Sequence, residues 1–191
     1  MKKIKLVEIT GKKFVLEPRY YFFGWSKSSK ILGRQSAIVA LSKAEKLLPA
    51  GYKFKIWDCF RPREVQIAMV DSFKKRLRVM HPAAPPKQLK QLVERYAGKV
   101  PPPLKIERLD THRNGGSFDL TVADDEGREL YMGTDHDDLT PKAATDYFEK
   151  IKGLTGLERE AKKNRRLLAK TLTQAGFINY KEEWWHWSWA K

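Results

Sequence analysis

The chain is poor in three things. It has one cysteine, Cys59, and four histidines among its 191 residues, and it has no run of 18 apolar residues. A single cysteine excludes an internal disulfide and any zinc site built on several thiolates. Without a long apolar run there is no candidate for a membrane-spanning helix. The opening MKKIKLVEITGKKF is basic with no apolar stretch behind it, so it does not read as a secretory leader. The expectation is a cytoplasmic protein in a reducing compartment, with export by a route that needs no such leader as the alternative.

Negative charge is also scarce. There are 23 Asp and Glu against 38 Lys and Arg, for a net charge of +15. Such a surface attracts polyanions and raises nucleic acid as a partner. The charge is scattered, however, and no motif organises it, so a basic enzyme is favoured over a polyanion-binding module. The hydrophobic content of 41% and the length suit one folded domain over residues 1–191.

Apolar periodicity places the elements. LGRQSAIVALSKAEKLLPAGY carries Ile38, Leu41, Ala44 and Leu48 at helical spacing and stops at Pro49 and Gly51. YKFKIWD, Tyr52 to Asp58, alternates as a half-buried strand does. A helix follows from Pro62, and HPAAPP stops it. A lysine-rich helix spans about Pro86 to Gly98. GSFDLTVADDEGREL reads as strand, turn and strand. Thr140 caps a helix that begins with Pro141. A long amphipathic helix runs through EREAKKNRRLLAKTLTQAGF and ends at Gly176. EEWWHWSW then reads as a final strand. The predicted architecture is α+β, an antiparallel sheet with helices packed on it. Strand alternation puts Glu183 and His186 on opposite faces, so a bulge or bend is needed to bring them together.

The chemistry is concentrated in few residues. His81 precedes a proline in a loop and reads as surface. His112 stands in DTHRNGGSFDL, where Gly115 and Gly116 permit a sharp turn before Asp119. Imidazole and carboxylate together suit Zn²⁺. His186, set among tryptophans, completes a three-ligand set that leaves a position for water. Each histidine alone reads better as a hydrogen-bonded core group; their order and spacing argue otherwise. Arg61 in WDCFRP lies between a strand and a helix, either as a surface cation or as a guanidinium aimed at developing charge. The aspartates 135, 137 and 138 of MGTDHDD lie just after a strand, where an acidic helix N-terminus is favoured by the macrodipole; Asp138 reads as such a residue.

WDCFRP, HRNGGSFDLT, MGTDHDD and NRRLLAKTLTQAGFINYKEEWWHW, in this order and spacing, resemble the D-alanyl-D-alanine dipeptidases of the vancomycin-resistance type. The resemblance runs from about Tyr52 to Trp189, and residues 1–50 match loosely. It implies a zinc peptidase that hydrolyses D-Ala-D-Ala through a metal-activated water. It places the ligands at His112, Asp119 and His186, the catalytic base at Glu183 and the transition-state arginine at Arg61. Asp137 takes the role of holding the substrate ammonium, and Asp58 that of a partner beside the arginine. The wider group also contains carboxypeptidases and endolysins acting on peptidoglycan, which is the alternative reading. Two positions depart from the pattern. Asp110 stands where the family has a serine facing the dipeptide's C-terminal carboxylate, and Ser117 stands for an alanine. A carboxylate at position 110 opposes that substrate group unless Arg108 or Arg113 neutralises it.

Overall fold

The structure is a computed structural model, and it describes residues 4–11, 13–98, 100 and 111–190. Asp110 and Arg108 lie outside the described residues.

A five-stranded sheet organises the chain. Its strands are β2 (Val15–Leu16), β4 (Tyr52–Asp58), β5 (Ser117–Asp124), β6 (Ile178–Asn179) and β7 (His186–Ser188), in the spatial order β2-β4-β5-β7-β6. A separate antiparallel pair joins β1 (Leu6–Glu8) to β3 (Leu32–Arg34). The α+β expectation holds, but the sheet is mixed, because β2 runs parallel to β4. The reason is the connection. Between β2 and β4 the chain passes through α1 (Arg19–Phe22), β3 and α2 (Gln35–Glu45), which is long enough for the crossover that parallel pairing requires. The other pairings of this sheet are antiparallel.

Strand β5 is buried on both faces. Phe118, Leu120 and Val122 join Phe54 and Ile56 of β4 on the core side. Against them pack Ala37, Leu41 and Ala44 of α2, and Leu168 and Leu172 of α5 (Gly156–Gln174). These helical positions recur at three and four residues, as one buried stripe requires. Helix α5 starts from a capping box in which Thr155 and Glu158 satisfy each other's backbone. Gly176, at φ 87°, follows its end. A second apolar cluster joins α3 (Arg63–Met80) to α4 (Pro86–Ala97) through Val65, Met69, Phe73, Leu77, Leu89 and Val93, and it includes Tyr20.

Two sequence expectations are revised. The return strand after β5 is reduced to one bridge, Ala123 to Glu129, beside a turn in which the Asp124 carboxylate accepts the N–H groups of Glu126 and Arg128. The EEWW part of the last segment, residues 182–185, is a turn and not a strand, and β7 begins only at His186. Trp184 and Trp185 are adjacent and both 2% exposed. An alternating strand sends neighbours to opposite faces, whereas a turn buries both on one side of the sheet's end.

The loop after residue 130 leaves the sheet and is pinned by α5. Arg165 donates from Nε to Met132 O (2.7 Å), from Nη1 to Ala144 O (2.7 Å) and from Nη2 to Lys142 O (2.9 Å). Asn164 adds a bond to Tyr131 O. Burial lowers the Arg165 pKa to about 10, with Asp138 opposing the shift. Thr140 caps its segment as expected, but the helix is a single 3₁₀ turn, Pro141–Ala143. Arg165→Met keeps the packed stem and strands three carbonyls. We expect a loss of about 3 kcal/mol, read as a Tm drop of roughly 6–12 °C for a chain of this size. A Tm within about 2 °C of wild type would show that other contacts hold the loop.

Candidate metal centre

Three side chains converge at the end of β5. His112 Nε2 lies 3.2 Å from Asp119 Oδ1, His186 Nδ1 lies 3.2 Å from the same oxygen, and the two nitrogens are 3.0 Å apart. These atoms form a group able to hold a metal ion. A tetrahedral ion with bonds of about 2.0–2.1 Å spaces its donors roughly 3.3 Å apart, so the separations fit. The tautomers fit as well. His112 Nδ1 donates to Cys59 O at 2.7 Å, which leaves the lone pair on Nε2. His186 Nε2 faces Ser188 Oγ at 3.4 Å, which leaves Nδ1 for the cluster.

Local sequence explains each placement. Asp119 sits on the face of β5 away from Phe118 and Leu120, opposite His186 across an antiparallel pair. His112 begins a 3₁₀ turn, His112–Asn114, that closes with Gly115 at φ 69°. A Cβ on Gly115 would stand 2.5 Å from the backbone nitrogen of Arg34, so only glycine lets β3 pack against this turn. A register shift in β4 between Ile56 and Asp58 aligns Asp58, not Trp57, with Asp119. That bulge brings Asp58 to the cluster, where its Oδ2 lies 3.2 Å from His112 Nδ1.

Arg61 is buried among these groups. Its Nε donates to Asp58 Oδ2 at 2.7 Å, and its Nη2 donates to Asp119 Oδ2, also at 2.7 Å. Its Nη1 reaches Gln66 Oε1 at 3.0 Å, and the guanidinium lies 4.8 Å over the ring of Tyr20. Burial disfavours the cation, but Tyr20 and the carboxylates of Asp58, Asp119 and Asp137 outweigh it and push the Arg61 pKa well up. Burial likewise raises the Asp119 carboxyl. The charge of His112 and the nearby ring nitrogens of His112, His186 and His136 outweigh that and hold it well below the usual range. Burial lowers His186 despite the Asp119 contact.

Glu183 and His186 do meet. His186 N donates to Glu183 O at 3.3 Å, which bends the chain and brings Glu183 Oε2 to 3.7 Å from His186 Nδ1. Burial, with the charges of Asp119 and Asp137, pushes the Glu183 carboxyl well above its usual range. Asn179 clamps this turn. Its Nδ2 donates to both Glu183 O and His186 O at 3.0 Å, while Thr145 Oγ1 donates to its Oδ1 at 2.7 Å.

The MGTDHDD segment forms the opposite wall. Asp137 is the one non-glycine residue with positive φ (58°) among the described residues. Its carboxyl is buried and its pKa is raised, by burial first, with His136 opposing and Asp119 adding. Its Oδ2 has no hydrogen-bond partner among the described residues. Asp138 accepts from Thr140 N at 2.8 Å, just ahead of the Pro141–Ala143 turn. His81 is exposed, as expected.

Three residues of the site were not singled out from sequence. Tyr20 lies in RYYFFGW, which has no legible period; Arg19, bonded to Glu17, Glu129 and Asp135 and lying 4.1 Å over Trp57, fixes its place. Asn179 carries no sequence signal. His136 had one, since a histidine between acids is seldom a mere cap. Its side chain is fully buried, and burial acting to lower its pKa is outweighed by Asp137 and Asp119.

A family model described as D-ala-D-ala dipeptidase matches residues 23–191. Three curated proteins named D-alanyl-D-alanine dipeptidase are similar to the chain. The Synechocystis sp. protein is 25% identical over 154 residues, covering 72% of this chain and 59% of the relative. The Enterococcus faecalis protein is 28% identical over 165 residues, covering 83% and 73%. The Escherichia coli protein is 26% identical over 161 residues, covering 84% and 67%.

Asn179→Asp keeps the shape but replaces two donors with acceptors facing two carbonyls. We expect divalent-metal affinity to fall about tenfold or more through the released His186, measured by chelator competition, with unchanged far-UV circular dichroism. Wild-type affinity would show that the turn holds without its clamp.

Proposed function

The chain belongs to the D-ala-D-ala dipeptidase family, and on that premise we propose that it is a zinc enzyme hydrolysing the free dipeptide D-Ala-D-Ala. The observation that carries this reading is the convergence of His112, Asp119 and His186 within 3.0–3.2 Å, with the Glu183 carboxylate 3.7 Å from one of them. Two imidazoles and one carboxylate are a donor set suited to zinc. When bound, zinc lowers the pKa of water from about 15.7 toward 7 and polarises a carbonyl.

The chain's own residues do the rest. Glu183 accepts the proton of the attacking water and delivers a proton to the leaving amine. Arg61 offers a fixed positive charge where the carbonyl oxygen becomes negative. It is pre-oriented by Asp58 and Asp119, so it needs no reorganisation during the reaction. Asp137 Oδ2, a buried acceptor without a partner among the described residues, is suited to the substrate's terminal ammonium, which selects a dipeptide with a free amino end.

Replacing His112, Asp119 and His186 together by alanine is expected to abolish stoichiometric zinc; a triple variant that retains it would refute the ligand set. Glu183→Gln preserves shape and cannot take a proton. Zinc content should stay at one per chain while kcat on D-Ala-D-Ala falls by about 10²–10⁴. Loss of zinc in that variant would make Glu183 a ligand. Asp137→Asn keeps a residue that tolerates left-handed backbone and removes the charge. KM for D-Ala-D-Ala should rise roughly 10–100-fold, the worth of a charged hydrogen bond, with kcat little changed. An unchanged KM would place the ammonium elsewhere.

A further inference from the structure

His136 is a polar group enclosed by aromatic rings. Trp57 stacks on it at 4.8 Å, and Trp185 and Tyr20 meet it at 5.5 and 5.8 Å. Such a box suits a phenyl ring at least as well, and an imidazole placed in it leaves polar atoms to be satisfied. Neither ring nitrogen has a closed hydrogen bond among the described residues. Yet Nε2 stands between two carboxylates, 3.3 Å from Asp137 Oδ1 and 3.5 Å from Asp119 Oδ2. A buried imidazole edge aimed at two acid groups is costly to keep unless the arrangement is used.

The two acids have different tasks. Asp119 turns Oδ1 to the two imidazoles of the metal cluster and Oδ2 to Arg61 and His136. Asp137 points Oδ1 at His136 and at the Tyr20 hydroxyl, 3.5 Å away, and leaves Oδ2 without a partner among the described residues. We propose that His136 is a positioning residue whose Nε2–H spans Asp119 and Asp137, tying the metal-binding carboxylate to the carboxylate that receives the substrate ammonium. The role rests on the reading of the site given above. It needs only a hydrogen on Nε2, so it holds whether the ring is neutral or charged. The N–H limits how far Asp119 can rotate about its bond to the cluster, as outer partners of metal-ligating carboxylates do. Together with the Tyr20 hydroxyl it keeps Asp137 Oδ1 occupied, so that Oδ2 is the free acceptor.

Packing and positioning make opposite demands at residue 136. His136→Phe fills the aromatic box and removes the N–H. His136→Gln disturbs the box and restores a donor near the position of Nε2. Zinc affinity is read by competition with a chelator, and KM and kcat are read on D-Ala-D-Ala. We expect the Phe variant to fold and melt no lower than wild type, to bind zinc about 10–100-fold more weakly and to show a raised KM. The Gln variant is expected to melt lower, yet to lie nearer wild type in zinc affinity and KM. A Phe variant with wild-type zinc affinity and KM would overturn the proposal. So would a folded Gln variant no better than Phe in both. If the Gln variant does not fold, the Phe variant alone decides; if the Phe variant does not fold, wild-type-like values in Gln support the proposal and losses in Gln overturn it. Wild type that binds zinc without cutting the dipeptide would remove the substrate reading, and zinc affinity alone would then decide the role of His136. Wild type without affinity for zinc would remove both.

Discussion

The Asp119 carboxylate is the contact on which the site depends. One oxygen meets two imidazole nitrogens at 3.2 Å, and the other takes a guanidinium hydrogen at 2.7 Å. Its side chain is 2% exposed, so water cannot share the load. An ionised carboxylate at that depth survives only with strong partners. Much of the surrounding structure supplies them: Arg61 held by Asp58 and Gln66, His112 held by Cys59 O, and His186 held in register opposite Asp119. Removing one partner leaves the other charges buried and unmatched, which is far more damaging than deleting the set together.

The supports are graded by distance. Nearest the cluster are charged hydrogen bonds. Around them stand aromatic walls, Trp57, Trp184, Trp185 and Tyr20, which exclude water and strengthen the electrostatics inside. Beyond these lie backbone pins. Trp184 Nε1 donates to Thr134 Oγ1, and Arg165 holds the same loop from the other side. The tryptophans near the C-terminal end therefore do more than fill a core. They join the turn that carries Glu183 to the loop that carries His136 and Asp137.

Much of this was legible in the sequence, and the exceptions share a cause. The helices at 35–45, 63–80, 86–97 and 156–174 and the strand at 52–58 follow from periodicity, because each buries one continuous stripe. His112, Asp119 and His186 stood out because histidines are few and the Gly-Gly turn is specific. What could not be read was set by pairing between distant segments. The parallel edge strand β2, the bulge that aligns Asp58 and the clamp of Asn179 on the 183–186 turn each depend on a partner many residues away or on local bending. Alternation predicted a strand through Trp184 and Trp185, and the need to bury both indoles overrode it. Tyr20 reached the site only because Arg19 fastens its segment to residues 129 and 135.

The position of β7 bears on the order in which the molecule assembles. It is the last described strand in the chain, yet it lies inside the sheet, between β5 and β6. Its pairing with β5 joins Ser117 to Ser188, so the loop to be closed is long and the contact non-local. During synthesis, β4 and β5 can pair and α2 can cover them while the place beside β5 is still open. His186 arrives with β7, and Glu183 arrives in the turn just before it. Until that strand docks, the chain holds two of its three convergent donors and lacks the Glu183 carboxylate that lies beside them. The convergence of the three donors is then coupled to the docking of this late, non-local strand.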